Sequence, residues 1–295
     1  MRRALRFLTA PDRADQPLIG LSRISTAIYA LSNGSALSEE AAIPEQMARL
    51  VEKYRCLKCP MGQAGAPSTA SLDVVVLTGA TGSLGASLLA ELVVRADVRL
   101  VYCLCRAKDD DEALARVVLS LDSRGLSTDL RGKVVAVAAD LGSTSLGLPL
   151  ERYDEMAKQV TTVIHNAWSV NFNQQLASFE SHIRGAVNLM QLALTPIVVG
   201  RFYFTSSVSA VANYRGPGYV PEAVIDDWTV AQGMGYAQSK AVTEKLCEIV
   251  SRETPLLAGI LRVGQMVGGT SSAVWNETEA ISLIIKVLPR FWPGR

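Results

Sequence analysis

Residues Thr78 to Gly85 read TGATGSLG, directly behind the apolar run DVVVLT and directly ahead of the apolar stretch ASLLAELVV. A strand, a tight glycine turn and a helix in immediate succession leave the chain few options. Gly79 permits the turn, Gly82 lets the backbone approach a pyrophosphate, and Gly85 allows the helix to lie close to the strand. The free N–H groups and dipole at the start of that helix favour an anion. Thr78, Gly79, Thr81, Gly82, Ser83, Leu84 and Gly85 are therefore the first candidate cofactor-binding residues. The bland reading of the same stretch is an ordinary glycine-rich turn.

From residue 72 onward the pattern is regular. The apolar runs DVVVLT, VRLVYCLC, KVVAVAA, TTVIHNA, RFYFTSS and LLAGILRV read as strands. Helical stretches near 84–95, 110–122, 150–159, 175–194 and 235–252 alternate with them. Runs that are continuously apolar, rather than alternating, indicate strands covered on both faces. The expected fold is therefore α/β, a Rossmann-type doubly wound parallel sheet, with a short helical N-terminal appendage. In that appendage Ile24, Ala27, Ile28 and Leu31 recur at helical spacing. Met47, Leu50, Val51 and Tyr54 mark a second amphipathic helix, with Pro44 suited to its first turn. The stretch PMGQAGAPSTAS at 60–71 reads as a linker. Two units are expected: residues 1–71, helices and linker, and residues 72–295, the sheet domain.

Charge and cysteine content narrow the function classes. The formal net charge is +1, and no basic run follows the opening MRR, so neither a nucleic-acid footprint nor a polybasic membrane patch is expected. The opening apolar stretch is too short and too soon charged for a cleaved secretory signal. Glycines and polar residues break the most hydrophobic segment, 74–94, well short of a membrane span. A soluble, cytoplasmic protein is expected. Cys56 and Cys59 form a C-x-x-C without a second pair or histidine at zinc spacing, so no metal site is expected. Cys103 and Cys105 read as small hydrophobes on a strand.

The second strand ends in Cys105-Arg106, where an acidic residue would hydrogen-bond an adenosine ribose. A guanidinium there suits a 2′-phosphate and points to NADPH. Asp109 to Asp111 look like an exposed helix start. Asp140 and Leu141, behind the third strand, are candidates to flank the adenine, and Asn166 is placed at the end of the fourth strand near the nicotinamide. His165 reads as a satisfied strand-end histidine. Arg262 and Gln265 follow the sixth strand, where cofactor or acyl chain would pass.

Taken in order, TGATGSLG, Arg106, Asp140-Leu141, HNAWSVNF at 165–172, FTSSVSA at 204–210 and YAQSK at 236–240 resemble the extended short-chain dehydrogenase/reductase family. CLCRAKDDDEALARV at 103–117 and LRVGQMVGGTSSAVWN at 261–276 are closer to its thioester reductase domains. These end fungal nonribosomal-peptide-synthetase-like enzymes and carboxylic acid reductases. The resemblance covers about 72–288. It implies reduction of a phosphopantetheine-bound acyl thioester to an aldehyde with NADPH. PLIGLSRISTAIYALS at 17–32 resembles the last helix of an acyl-carrier domain whose serine motif is not visible. The acyl arm is then expected from a carrier domain supplied elsewhere.

Residue chemistry supplies the roles. Tyr236 can donate a hydrogen bond and then a proton, but a phenol titrates near 10. Lys240, one helical turn away on the same face, would lower that value and hold the nicotinamide ribose. Ser207 would place a hydroxyl beside the carbonyl oxygen. Ser206 is its close competitor. In isolation each has a plain reading: a tyrosine and lysine on a half-exposed helix, and two serines capping a turn. The family's longer C-terminal, acyl-binding region is expected to be missing beyond KVLPRFWPGR. Two other readings therefore stay open: a non-catalytic NADP(H)-binding protein, and an extended reductase acting on a free carbonyl or sugar nucleotide.

Overall fold

The structure, a computed structural model, describes residues 42–57, 72–194, 200–268, 274–275, 282–283 and 285. The helix expected at 24–31, the linker at 60–71, Cys59 and the C-terminal KVLPRFWPGR lie outside the described residues. Two compact units divide the chain, Met1–Arg49 and Leu50–Arg295. Helix α1 (Ile43–Tyr54) crosses that division, with Pro44 in its first turn as anticipated. Within the first unit Arg49 pairs with Glu45 at 3.4 Å, one turn apart.

The second unit alternates strand and helix. Its elements are β1 (Asp73–Thr78), α2 (Ser83–Val94), β2 (Val98–Cys105), α3 (Asp110–Asp122), β3 (Val134–Ala138), α4 (Leu150–Ala157) and β4 (Thr162–His165). After them come α5 (Glu180–Leu194), β5 (Arg201–Ser207), α6 (Gly235–Glu253) and β6 (Leu257–Val263). All strands pair parallel in the order β3-β2-β1-β4-β5-β6. The chain order reverses between β1 and β4, and that reversal opens a crevice at the carboxyl ends of the strands. Thr78 is in register with His165, His165 with Phe204, Ser206 with Arg262 and Ser207 with Val263, so the ends of four strands line up there.

The sheet is buried on both sides, which is why its strands are continuously apolar. One layer joins Val75, Leu77, Val101 and Cys103 of the sheet to Leu89, Val93, Val117 and Leu121 of α2 and α3. On the other, α5 packs on β4 and β5, and α6 on β5 and β6. Phe202, Phe204, Ile183, Leu189 and Val242 are all fully buried. Cys103 and Cys105 are buried thiols whose burial raises their pKa values, as expected of packed hydrophobes. Asp109 caps α3, its carboxylate accepting from the Glu112 N–H at 2.8 Å. Among the described residues no cluster of histidine, cysteine or carboxylate suits a metal, and no helix is long and apolar enough to cross a membrane.

Candidate active site

The crevice is built from the backbone of the glycine loop. Gly79 adopts φ +74°, which any L side chain would resist, and a Cβ there would come within 2.9 Å of the Ala167 N. The loop behind β1 and the loop behind β4 therefore touch main chain to main chain. A Cβ on Gly85 would meet the Gly79 carbonyl oxygen at 2.0 Å, so α2 starts hard against the turn. Gly82 is the N-cap of α2, provides no side-chain cap, and no acidic residue occupies the first turn. By contrast α3 opens with a capping aspartate and three further acids. The uncapped N–H groups and positive dipole end at Ser83 and Leu84 fit a pyrophosphate.

Thr78 lies behind this loop rather than in it. Its hydroxyl accepts from the Asn166 and Ala167 N–H groups, each at 3.0 Å, and meets His165 Nδ1 at 2.8 Å. With both acceptor positions used, the Thr78 hydroxyl donates to Nδ1, and the imidazole proton sits on Nε2. That Nε2 is buried without a hydrogen-bond partner among the described residues. Burial, with the Lys240 and His182 charges nearby, drops the His165 pKa to about 3. His165 is thus a neutral strut, satisfied on one nitrogen only, and Thr78 fixes the ends of β1 and β4 instead of presenting its side chain to a ligand. Asn166 sits at the crevice with its N–H already bound to Thr78.

The remaining cofactor candidates divide. Arg106 is exposed behind β2, and its guanidinium has no hydrogen-bond or ion-pair partner among the described residues. Its charge is felt by His182 on α5, whose pKa is lowered chiefly by burial and then by Arg106 and Lys240. The Asp140 carboxylate is largely turned to its own loop, accepting from the Gly142 N–H at 3.1 Å and the Ser143 hydroxyl at 2.5 Å. Leu141 gives its carbonyl to Asn188 Nδ2 at 2.8 Å. Thr81 and Ser83 flank the exposed Gly82.

Helix α6 carries the chemistry-bearing face. Tyr236 has the Ser207 hydroxyl for a neighbour, close enough to favour the phenolate; Ser207 Oγ itself accepts from Ser209 N–H at 3.2 Å and from Ser209 Oγ at 2.9 Å. The Tyr236 ring meets Phe172 edge-on at 5.3 Å and Phe179 at 6.3 Å. Burial raises the phenol pKa, and the Ser207 hydroxyl works against that rise. Contrary to the sequence expectation, Lys240 is turned away from the phenol oxygen and toward β5. Its Nζ donates to the Thr205 carbonyl at 2.6 Å and lies 4.3 Å from the Trp168 ring, 4.6 Å from Phe204 and 5.7 Å from Tyr236. Only 2 % exposed, Lys240 has its pKa lowered by burial to about 7, with Glu244 pulling the other way.

Strand alternation separates the two competing serines. Ser207 meets Tyr236, whereas Ser206 is buried and donates to Glu244 Oε1 at 2.5 Å. Glu244 in turn is forked by Arg262, which Nε and NH2 approach at 2.8 to 3.2 Å. Arg262 therefore departs from the sequence expectation: it faces a buried carboxylate and two loop carbonyls, not a path for cofactor or acyl chain. Gln265 donates to the Met266 carbonyl at 3.1 Å and is exposed. Glu244, Trp168 and Phe172 are the site residues that sequence reasoning missed. Glu244 stands one turn beyond Lys240, and both aromatics lie inside the HNAWSVNF stretch, which was the available signal.

Comparison with known proteins bears on what this arrangement does. Residues 77–290 match the NAD-binding family described as "Male sterility protein". The adenylate-forming reductase Nps11 of Serpula lacrymans is 33% identical over 272 residues, covering 89% of this chain and 24% of that protein. A carboxylic acid reductase of Neurospora crassa is 36% identical over 257 residues, covering 86% of this chain and 24% of that one. Among solved structures, the terminal R domain of the myxalamid PKS-NRPS pathway superposes with TM-score 0.73 at 31% identity, over 83% of this chain and 62% of that domain. The R domain of a nonribosomal peptide synthetase from Mycobacterium tuberculosis superposes with TM-score 0.59 at 26% identity, over 76% of this chain and 54% of that one. The chain thus spans about a quarter of the curated relatives it matches and under two thirds of these R domains.

Proposed function

The chain belongs to the NAD-binding male sterility protein family, in its thioester reductase type, and from that membership we propose that it reduces a carrier- or CoA-bound acyl thioester to the aldehyde with NADPH. The observation that carries the reading is the juxtaposition of the Ser207 and Tyr236 hydroxyls beside buried Lys240, at the strand ends that also hold the uncapped glycine loop. The free guanidinium of Arg106 supports a 2′-phosphate and hence NADPH over NADH. The relatives, an adenylate-forming reductase and a carboxylic acid reductase, support an activated acyl substrate.

A bound nicotinamide supplies the hydride that goes to the thioester carbonyl carbon. The chain's residues answer for the oxygen. Ser207 accepts from Ser209 and keeps its own proton to donate, and Tyr236 lies beside it, so a carbonyl oxygen entering there can accept from both hydroxyls. That oxygen gathers negative charge as the carbon becomes tetrahedral, and the two donors stabilise it most at that point. Tyr236 then passes its proton to the oxygen. Collapse of the resulting hemithioacetal breaks the carbon–sulfur bond, leaving an aldehyde and a free thiol.

Lys240 answers for the phenolate. Its Nζ, 5.7 Å from the phenol ring, would favour loss of the proton after leaving the Thr205 carbonyl and turning toward the phenol oxygen. Phe172 and Phe179 hold the phenol ring edge-on from two sides.

The experiment is turnover of acyl-pantetheine thioesters with NADPH, the product identified as aldehyde or alcohol. Aldehyde formation stoichiometric with NADPH consumption is the expected result. Binding of NADPH with no consumption on any acyl-pantetheine or acyl-CoA would overturn the reading.

A further inference from the structure

The buried pair Glu244 and Arg262 lies outside the reaction just described, yet it is costly. The side chains are 3% and 16% exposed. Two charges withdrawn from water are often no more stabilising than apolar residues of the same volume, so such a pair invites a reason other than stability. Its contacts supply one. Glu244 accepts the Ser206 hydroxyl at 2.5 Å on one side and the Arg262 fork on the other. Ser206 and Arg262 are themselves cross-strand neighbours on β5 and β6. Arg262 then reaches past the carboxylate: NH1 donates to the Pro221 carbonyl at 3.1 Å and NH2 to the Ala223 carbonyl at 2.8 Å.

Those carbonyls belong to the connection between β5 and α6, and its two ends are decisive. It leaves immediately after Ser207 and its short 3₁₀ turn (Val208–Ala210), and it ends immediately before Tyr236. Movement anywhere along it pulls on one or both hydroxyls. Along α6, successive turns also hold the end of β5: Lys240 donates to the Thr205 carbonyl and Glu244 accepts from Ser206, while Tyr236 lies beside Ser207.

We propose that Glu244 and Arg262 are positioning residues that lock the β5–α6 connection and the end of β5, so that Ser207 and Tyr236 meet at one fixed spacing. This inference rests on the reading of the Ser207–Tyr236–Lys240 site given above. A displacement of about 1 Å at such a site costs on the order of a hundredfold in rate, so a lock of this kind acts on turnover more than on binding. Glu244 has a second effect through Lys240. The groups that face Lys240 are Tyr236 and Glu244 from α6, His182 from α5 and His165 from β4. Of these only Glu244 raises its pKa, while burial lowers it.

The test compares Arg262→Lys, Ser206→Ala and Glu244→Gln in the full chain. Arg262→Lys keeps the charge opposite Glu244 but loses the fork to the Pro221 and Ala223 carbonyls. It should lower kcat on acyl-pantetheine about tenfold with the NADPH Kd within about twofold. In hydrogen exchange read by mass spectrometry, amides of residues 211–234 should exchange about tenfold faster than in the parent chain. Ser206→Ala should lower kcat severalfold without changing Kd. Glu244→Gln should move the limb of the pH–rate profile assigned to Lys240 toward lower pH by about one unit. A merely structural role would lower Tm while leaving kcat per folded molecule, loop exchange and the pH profile unchanged, and that result overturns the proposal. If Glu244→Gln does not fold, the other two variants decide it. If the parent chain binds NADPH but reduces no thioester, the functional reading falls on its own, and loop exchange in Arg262→Lys still decides for or against the lock.

Discussion

The phenol of Tyr236, at the start of α6, lies beside the hydroxyl of Ser207, the last residue of β5. The whole connection of residues 208–234 separates them in the chain, so the fold, not local sequence, makes the pair. Two hydroxyls converging on one spot at the mouth of a nucleotide-type crevice are what a developing oxyanion requires.

Tyr236→Phe removes the proton donor but keeps the ring between Phe172 and Phe179. Turnover should fall by about 10² to 10⁴, while NADPH affinity stays within a factor of about two. Stopped-flow hydride transfer and fluorescence titration of NADPH read the two quantities separately. A fully active variant would remove Tyr236 from the reaction.

Lys240 gives a stability signature whose sign can be worked out. In the native protein it releases its proton at about 7, whereas the unfolded chain holds it to the ordinary value of 10.5. Between those values the unfolded state binds more protons, so raising the pH favours the native state. Lys240→Met escapes this penalty. Urea unfolding should show the variant gaining most on the parent chain below pH 7, with the gap narrowing steadily as pH rises toward 10.5. A gap independent of pH would mean that Lys240 is not buried as a near-neutral amine.

Arg106→Ala should separate the two nicotinamide cofactors. Loss of one charge-assisted contact to a phosphate costs about 1.5–3 kcal/mol, which is a roughly 10- to 100-fold rise in the NADPH Kd. The NADH Kd should hardly move. Equal weakening of both, measured by calorimetry, would argue against a 2′-phosphate at Arg106.

Gly85→Ala tests the crowding behind the glycine loop. The new methyl would sit 2.0 Å from the Gly79 carbonyl oxygen, so backbone must shift. Overpacking of this kind costs about 1–3 kcal/mol, and NADPH binding should be lost along with several degrees of Tm. An unchanged Kd and Tm would show that the loop has room to spare.

The architecture was readable because both-face burial leaves its mark in every strand. The run DVVVLT is β1, VRLVYCLC is β2 and RFYFTSS is β5, residue for residue, and α3 occupies 110–122 as its pattern indicates. The start of α5 was less readable: the helical signal at 175 begins with a 3₁₀ turn (Leu176–Phe179) before the α-helix opens at Glu180. The candidate site was readable where a residue's neighbours in sequence are its partners in space, as in the glycine loop or along one face of α6. It was unreadable where partners come from different strands. Nothing near Thr78 announces that its hydroxyl is spent on the far side of β4, and nothing near Arg262 announces Glu244 or the Pro221 carbonyl. The lysine's detour to Thr205 and Trp168 was hidden for the same reason.

The adjacent hydroxyls of Ser206 and Ser207 carry a constraint on how this protein can change over time. They serve opposite sides of the same strand, one the Glu244–Arg262 pair and the other Tyr236. Because the side-chain period of a strand is two, a one-residue insertion ahead of the pair puts Ser206 in the place of Ser207 and a one-residue deletion puts Ser207 opposite Glu244, and in each case the other serine loses its partner. Only changes of β5 in pairs keep each serine on its own face of the strand, and the connection that follows is held at Pro221 and Ala223 by Arg262. The tolerance of β5 to indels, mapped by a deletion scan, would therefore alternate between odd and even lengths.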